Sequence, residues 1–248
     1  MILKSLITAI RSLTILPVPG RETERIADAM YFFPLVGFII GGIIQFVVWV
    51  FAGLFGWPAG AAFAGVAVLV WLTRALHLDG LGDAVDAFFG GATRERRLEI
   101  MKDPHIGAFG AAAIGLALLC KFAALERLGF SGHWNWIILP VVLSRTVMVL
   151  AAVSLPYARL EGGKARPFVA EAKSVHFWLA LVLALLICTL YCGKIGLVAA
   201  AIALTIGLIS IRWMKHAFGG VTGDLIGFTG ETTECVLYFI LALFSVYV

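Results

Sequence analysis

Charged residues are scarce in this chain. They make up 14% of its 248 residues, whereas hydrophobic residues make up 61% and the mean hydropathy is +1.00. A soluble domain carries roughly 25% charged residues, and a chain this apolar has too little polar surface to stay in solution. The composition therefore excludes a soluble protein and predicts a single integral membrane domain over residues 1–248.

Cysteine is sparse too, with four residues in the chain. Cys188 and Cys192 are four residues apart in an apolar run, so a helix places both on one face. That pattern is typical of small packing side chains rather than of a metal or redox site. The net charge of +4 does not indicate nucleic acid as a partner, because the basic residues of a membrane protein mostly report its orientation.

The N-terminal segment lacks a clean signal-peptide cleavage site, and Lys4 and Arg11 interrupt its apolar residues. We expect residues 1–20 to form an amphipathic helix on the membrane surface that is ended by Pro17 and Pro19. No linker rich in proline, serine or charge follows, so the sequence predicts no separate soluble domain.

Long apolar runs, by contrast, are abundant. A membrane-spanning helix needs roughly 17 to 25 mainly apolar residues, and about seven runs meet that requirement. The predicted fold class is therefore all-α, a polytopic membrane bundle of about seven transmembrane helices. Glycines recur within these runs and suit close helix packing, so the sequence is compatible with self-association. The runs cover residues 31–54, 57–76, 107–126, 134–155, 175–193, 195–213 and 234–248.

Basic residues divide unevenly between the connections. Most of the 19 lysines and arginines lie in the N-terminal arm and after the second, fourth and sixth runs. Because cytoplasmic loops carry the excess of Lys and Arg, we expect the N-terminus and these three connections in the cytoplasm and the C-terminus outside. The two clusters of acidic residues lie in connections on the same, basic side of the predicted bundle. This polarity favours binding or chemistry at the cytoplasmic face of a prokaryotic inner membrane over a two-sided conduit.

The first acidic segment is HLDGLGDAVDAFFGG, residues 77–91. In a helix, Asp79, Asp83 and Asp86 have i, i+4, i+7 spacing and fall within an arc of about 60°. Three carboxylates on one stripe repel each other unless they are solvated, paired with cations or bound to a metal. Apolar flanks at the membrane border raise the cost of uncompensated charge. A solvated polar face is the alternative to a metal site.

The second acidic segment is GGVTGDLIGFTGETTE, residues 219–234. Its glycines keep the backbone open to a ligand, while Glu231 and Glu234 are i, i+3 and share a face at the start of the last helix. A flexible glycine-rich loop before an ordinary acidic helix start is the alternative. We predict that residues 73–106 and 212–234 form two cytoplasmic catalytic loops whose carboxylates converge on Mg²⁺ bound to a diphosphate.

Basic residues beside the first segment are candidates to hold phosphate oxygens. Arg94, Arg96, Arg97 and Lys102 lie in the same connection, although such residues are also typical topology signals. Arg145 lies about mid-span, where a charge is costly, and both an ion pair that orders the bundle and a contact to a substrate phosphate are open. The predicted chemistry is transfer at a diphosphate, by a phosphotransferase or a prenyltransferase.

Six blocks of the sequence resemble the cobalamin synthases, a family of adenosylcobinamide-GDP ribazoletransferases. The resemblance implies an integral membrane enzyme that requires Mg²⁺ and transfers the cobinamide phosphate moiety of adenosylcobinamide-GDP to α-ribazole or its 5'-phosphate. The implied products are GMP and adenosylcobalamin, or its 5'-phosphate, in a late step of coenzyme B12 biosynthesis. The blocks are RSLTILPVP, YFFPLVGFIIG, TRALHLDGLGDAVDAFFGG, RLEIMKDPHIGAFG, LSRTVMVL and GGVTGDLIGFTGETTE, in this order.

This expected activity assigns roles to the candidate residues. Asp83 or Asp86 is the expected general base, and His105 is a rival because an imidazole exchanges protons near neutral pH. The expected partners are the two small-molecule substrates and the lipid bilayer. The assigned Mg²⁺ ligands are Asp79, Asp83, Asp86, Asp224 and Glu231. The assigned substrate-binding residues are Arg94, Arg97, Lys102 and Arg145.

Three rival functions make different demands on the sequence. An intramembrane prenyltransferase normally carries denser Asp-Asp-x-x-Asp motifs, which this chain lacks. A transporter or Mg²⁺ channel predicts acidic or broken helices at the bilayer midplane, whereas the spans here hold few ionisable groups. A scaffold for other enzymes has no need of the carboxylates.

Overall fold

The computed structural model describes residues 2–159 and 162–246. Helices dominate this part of the chain. It holds no β-strand beyond an isolated parallel bridge between Tyr157 and Val221. The prediction of an all-α bundle is therefore confirmed.

The helices are numbered α1 to α10 in chain order. Short 3₁₀ turns precede α2 and α7, at Ile26–Phe32 and Trp134–Ile137, and a π turn, Trp49–Leu54, continues α2. The helices are α1 Ile2–Leu13, α2 Phe33–Val48, α3 Pro58–Thr73, α4 Leu76–Gly90, α5 Arg94–Ile100, α6 Ala108–Ser131, α7 Ile138–Ser154, α8 Arg166–Ala170, α9 Ser174–Phe218 and α10 Gly223–Phe244.

Five helical stretches of the described residues are long and apolar enough to cross a membrane. The number is six if α3 and α4 form one broken span with an 86° bend. This confirms a polytopic membrane protein, while the count of seven spans and the orientation of the termini stay predictions. The five stretches are Ile26–Leu54, Ala108–Ser131, Trp134–Ser154, Ser174–Phe218 and Gly223–Phe244.

The longest helix, α9, breaks at Gly193, whose φ of 55° and ψ of −132° are not helical. In a straight helix, residues 188 and 196 would lie about 12 Å apart. Instead, a Cβ on Gly196 would collide with the carbonyl oxygen of Cys188. The chain therefore turns back on itself at Gly193, between the two runs predicted at 175–193 and 195–213.

Most of the predicted catalytic loop at 212–234 is helical. Residues 212–218 complete α9, and α10 begins at Gly223, where the hydroxyl of Thr222 caps the helix by accepting from the backbone N–H of Leu225. The glycines of this segment serve close helix packing: a Cβ on Gly227 would lie 3.3 Å from the Cα of His77. Residues 73–106, the other predicted catalytic segment, hold two helices, α4 and α5.

Helix α7 forms the centre of the bundle, since nearly all of its residues are buried. It packs against α2, α9 and α10. Gly37 and Gly41 of α2 face its backbone: a Cβ on Gly37 would collide with the carbonyl oxygen of Val141, and one on Gly41 would lie 3.0 Å from the Cα of Ile138. On the other side of α10, α4 and α6 complete the bundle, so α10 lies between the core and the first acidic segment.

The predicted N-terminal helix is present as α1. It ends at Leu13, before the first proline. The following chain folds back along α1 because the guanidinium of Arg11 donates to the carbonyl oxygens of Val18 and Gly20. Ile2 and Leu3 remain exposed, as expected for a helix that lies on a membrane surface.

Candidate active site

The first acidic segment is helical, as its spacing predicts. Arg74 and Ala75 adopt left-handed φ values of 55° and 53°, and this turn directs α4 away from α3 at 86°. Asp79, Asp83 and Asp86 therefore share one stripe of α4. Asp79 is exposed and the other two are half-buried.

The start of α10 lies directly on this helix. A Cβ on Gly80 would collide with the backbone of Asp224, so α4 and α10 are in backbone contact there. The charged groups that act most strongly on the Asp83 carboxylate are Asp79, Asp224 and Arg159. Both acidic segments thus contribute to one cluster, although they are far apart in sequence.

Arg159 is the cation of this cluster. Its Nη2 donates to Oδ2 of Asp224 at 2.9 Å and to the carbonyl oxygen of Met101 at 3.2 Å. Its Nε is buried without a partner among the described residues. No local pattern in the sequence distinguishes Arg159 from the other basic residues of its connection.

The bridge between two connections places Arg159. The backbone N–H of Ala158 donates to the carbonyl oxygen of Val221, and the N–H of Val221 donates to that of Pro156, each at 2.9 Å. These bonds join the chain after α7 to the short link between α9 and α10. Arg159 comes two residues after Tyr157 on one side of the bridge, and Asp224 comes three residues after Val221 on the other side.

Tyr157 lies beside this ion pair. Burial raises the pKa of its phenol, and its hydroxyl has no partner among the described residues. Gly163 has a φ of 97°, and a Cβ there would collide with this hydroxyl. Gly163 therefore packs closely against Tyr157, whose buried hydroxyl lies near Arg159.

Asp86 has a different role from its neighbours on α4. Its two carboxylate oxygens accept from the backbone N–H groups of Gly107 and Gly110, at 2.7 and 2.8 Å. A carboxylate at a helix N-terminus satisfies free N–H groups and offsets the helix dipole. Asp86 thus caps α6 from another helix, and a Cβ on either glycine would collide with it.

Arg94 and Arg97 are bound to backbone carbonyls at the end of α9. Arg97 donates to the carbonyl oxygens of Gly91 and Ala217, each at 2.9 Å, and Arg94 donates to that of His216 at 3.3 Å. These guanidinium groups hold α5 against the negative end of the α9 dipole. These contacts give both residues a structural role, while the predicted phosphate contact stays a prediction.

The last two candidates of this connection are exposed. Lys102 points to the surface. The ring Nδ1 of His105 pairs with Oδ1 of Asp103 at 2.7 Å, and hydrogen bonds from the backbone and ring of His105 lower the pKa of Asp103. The structure does not bring either residue into the carboxylate cluster.

Arg145 and Glu231 belong to a buried ion-pair network deeper in the bundle. Lys121 of α6 contacts Oε1 of Glu231 at 2.5 Å and Oε1 of Glu234 at 2.7 Å, and Nη1 of Arg145 donates to Oε2 of Glu234 at 2.9 Å. Ser144 adds hydrogen bonds to both ends of the last pair. Each of the four charged side chains is at most 3% exposed.

The network contains two cations and two anions, so its charges balance. Glu231 is seven residues beyond Asp224, about 10 Å along α10, and it faces Lys121 instead of the carboxylates of α4. Of the two roles open for Arg145, the structure supports the ion pair that orders the bundle. The position of Glu231 likewise does not favour its predicted role as a metal ligand, because its carboxylate contacts Lys121 inside the bundle.

The chain is similar to a known family of proteins. The family described as Cobalamin-5-phosphate synthase matches residues 5–242. The chain belongs to this family. No solved structure matches the chain.

Relatives within the cobalamin-5-phosphate synthase family match over nearly their full length. The chain is 42% identical to the adenosylcobinamide-GDP ribazoletransferase of Chlorobaculum parvum, over 97% of this chain and 96% of that protein. It is 44% identical to the protein of that name from Chlorobium phaeobacteroides, over 95% and 96%. The match to the one from Syntrophobacter fumaroxidans is 41%, over 93% and 94%. The resemblance inferred from the sequence is confirmed.

The carboxylates of α4 and α10 can be tested for their fit to Mg²⁺. Among the described residues, no three His, Cys, Asp or Glu side chains come together as a ready-made metal site. Mg²⁺ usually takes only one or two carboxylates, with water and substrate phosphates as the other ligands. The carboxylates of Asp79 and Asp83 have no ion pair in the described part of the chain, and Asp224 keeps one oxygen clear of Arg159. This donor set fits Mg²⁺ bound together with a diphosphate.

Proposed function

We propose that the chain is a membrane-embedded transferase that moves the cobinamide phosphate moiety of adenosylcobinamide-GDP to α-ribazole or its 5'-phosphate, with release of GMP. Membership of the cobalamin-5-phosphate synthase family, together with the activity for which its relatives are named, supports this reaction. The carboxylate cluster at the contact of α4 and α10 is the proposed site. It combines unpaired acids with one arginine, as transfer at a diphosphate requires.

The name of the family constrains the bond that forms. A product that is a cobalamin 5'-phosphate keeps its phosphate on the 5' oxygen, so another ribose hydroxyl must be the nucleophile. That hydroxyl attacks the phosphorus on the corrinoid side of the diphosphate. The bond from this phosphorus to the bridging oxygen breaks, GMP departs with that oxygen, and the hydroxyl proton must pass to a base.

Asp83 is the residue best placed to take this proton. It is half-buried, has no ion pair in the described part of the chain, and lies next to Asp79 and Asp224. Asp86 is committed to the N-terminus of α6. His105 is exposed and paired with Asp103. A base must reach the reacting hydroxyl within hydrogen-bond distance, and of these three candidates Asp83 is the carboxylate that belongs to the cluster and has no ion pair or helix cap to form among the described residues.

Asp79 and the free oxygen of Asp224 would hold Mg²⁺. When bound, the ion neutralises diphosphate oxygens and stabilises the departing phosphate. Arg159 fixes Asp224 through the 2.9 Å ion pair, and its guanidinium, whose side chain is 15% exposed, would donate a further hydrogen bond to a phosphate oxygen. Most of the rate enhancement would then come from positioning and electrostatics.

The test is turnover by the purified protein in lipid vesicles, with adenosylcobinamide-GDP and α-ribazole 5'-phosphate as substrates. GMP and the corrinoid product are measured together by chromatography. Loss of a general base typically costs a factor of roughly 10² to 10⁴, so we expect Asp83→Asn to lower turnover by that factor. Asp103→Asn removes an exposed carboxylate nearby and should retain wild-type turnover. An Asp83→Asn protein that releases GMP at the wild-type rate would falsify the assignment of the base.

A further inference from the structure

An open groove lies between α3 and α6, at the end of the bundle opposite to the carboxylate cluster. Its volume is about 540 Å³, and residues at the start of α3 and in the C-terminal half of α6 line it. Asp86 caps the other end of α6. The 24 residues of α6 extend about 36 Å at 1.5 Å per residue, which is enough to cross a bilayer. The groove therefore lies at the membrane surface remote from the proposed active site.

Two unpaired charges line this groove. Glu126 and Arg127 are half-buried at its wall. In the part of the chain that the structure describes, neither side chain has an ion pair or a hydrogen bond, and Arg127 lies over the ring of Phe130 at 6.0 Å. Adjacent helix residues point about 100° apart, so the two charges offer separate contacts to one ligand.

The rest of the lining is apolar and aromatic. Trp57 is 59% exposed and Phe130 is 73% exposed. Aromatic side chains in such positions sit at the headgroup level of a bilayer. Pro58, Ala59 and Ala123 are small and leave space between the two helices. The groove thus combines a wall suited to an acyl chain with a polar rim at headgroup depth.

A ligand that matches this rim carries one anion and one hydrogen-bonding cation. Guanidinium groups bind phosphate through parallel hydrogen bonds, and a carboxylate accepts from a primary ammonium. Phosphatidylethanolamine carries both groups. Phosphatidylcholine has a methylated ammonium that donates no N–H bond, and phosphatidylglycerol has no cation. Charge complementarity therefore selects among membrane lipids.

We propose that this groove binds the headgroup of phosphatidylethanolamine, with Arg127 on the phosphate and Glu126 on the ammonium. The inference is independent of the proposed transferase activity, because the groove lies at the opposite end of the bundle from the carboxylate cluster. A bound lipid would connect the start of α3 to the end of α6 and stabilise that end of the bundle.

Native mass spectrometry of the detergent-purified protein, titrated separately with each of the three phospholipids, tests the proposal. We expect wild-type protein to bind phosphatidylethanolamine about tenfold more tightly than the other two, as one charge-assisted hydrogen bond allows. Glu126→Gln should abolish this preference. Arg127→Gln should weaken the binding of all three lipids. Lys194→Gln, which changes a charge outside the groove, should bind as the wild type does.

Equal affinity of the wild-type protein for the three lipids would overturn the proposal, as would a preference of Glu126→Gln for phosphatidylethanolamine that equals the wild type's. A preference for phosphatidylglycerol would indicate an anionic-lipid site and would equally reject it. If Arg127→Gln fails to fold, the comparison of the wild type with Glu126→Gln still decides the outcome. The thermal unfolding temperature gives a second readout. Phosphatidylethanolamine should raise the unfolding temperature of the wild type by more than it raises that of Glu126→Gln.

Discussion

Nη2 of Arg159 donates to Oδ2 of Asp224 at 2.9 Å, which joins the connection after α7 to the first turn of α10. The same nitrogen also donates to the carbonyl oxygen of Met101, in the connection that leads from α5 to α6. One side chain thus ties together three parts of the chain around the carboxylates of α4. This pairing keeps Asp224 from facing Asp79 and Asp83 as an unbalanced third anion.

Replacement of Arg159 should impair the reaction more than it impairs folding. We expect Arg159→Gln to lower kcat/KM for adenosylcobinamide-GDP by about 10², in line with the loss of a charge-assisted contact to a phosphate. Arg159→Lys should recover part of the lost kcat/KM, since lysine keeps the charge but lacks the guanidinium fork. Steady-state kinetics with GMP detection measure both variants.

Arg96 provides the control for this arginine. It forms an exposed pair with Glu99 at 3.1 Å, and such surface pairs contribute little. Arg96→Gln should therefore leave kcat/KM unchanged. Full recovery by Arg159→Lys would argue against a directional role for the guanidinium and leave only its charge.

The backbone contact of α4 with α10 depends on Gly80. We expect Gly80→Ala to separate the helices, because the new methyl group would collide with the backbone of Asp224. Overpacking of this kind costs about 1 to 3 kcal/mol, and the displaced carboxylates should also reduce turnover. Thermal unfolding in detergent and the GMP assay measure the two effects.

A matched glycine in α2 makes this test specific. A Cβ on Gly42 would meet nothing within 4 Å, so Gly42→Ala should keep activity and should even stabilise the helix by about 0.5 to 1 kcal/mol. Equal behaviour of the two alanine variants would mean that the α4–α10 contact is looser than the structure shows.

Local periodicity made much of α4 predictable. The i, i+4, i+7 spacing of Asp79, Asp83 and Asp86 requires only a helix, and the helix is there. The long apolar runs of the chain likewise predict a bundle of membrane-spanning helices without reference to tertiary contacts. Features that depend on a 3.6-residue period can be read from a single sequence.

Features set by tertiary contacts could not be predicted in this way. The glycines of 219–234 indicated a loop, yet they allow close packing of a helix, because neighbouring helices override local preference. Which arginine reaches Asp224 is decided by the bridge between Tyr157 and Val221, a long-range pairing with no local signature. The sequence makes Arg97 a candidate to bind a substrate phosphate, whereas in the structure its guanidinium donates to the carbonyl oxygen of Ala217 at the end of α9.

The buried network predicts a large cost for removal of a single charge. Lys121→Met would leave Glu231 without its partner in the bundle, and breaking a buried pair in this way costs roughly 3 to 5 kcal/mol. We expect a marked fall in the unfolding temperature. The double variant Lys121→Met/Glu231→Gln removes one cation together with one anion, while Glu234 keeps Arg145, and it should recover part of the loss. A double variant less stable than Lys121→Met would contradict the charge balance described for this network.

The fit of the carboxylates to Mg²⁺ predicts a specific effect at Asp79, whose carboxylate has no ion pair among the described residues. Loss of one oxygen ligand weakens an Mg²⁺ site that has few protein ligands, so Asp79→Asn should raise the Mg²⁺ concentration for half-maximal turnover by about tenfold or more. Direct binding of Mn²⁺, followed by electron paramagnetic resonance without substrate turnover, should weaken in parallel. Glu95→Gln, an exposed acid on α5, should change neither quantity. An Asp79→Asn protein with wild-type Mn²⁺ affinity would remove Asp79 from the ligand set, even if its turnover were reduced.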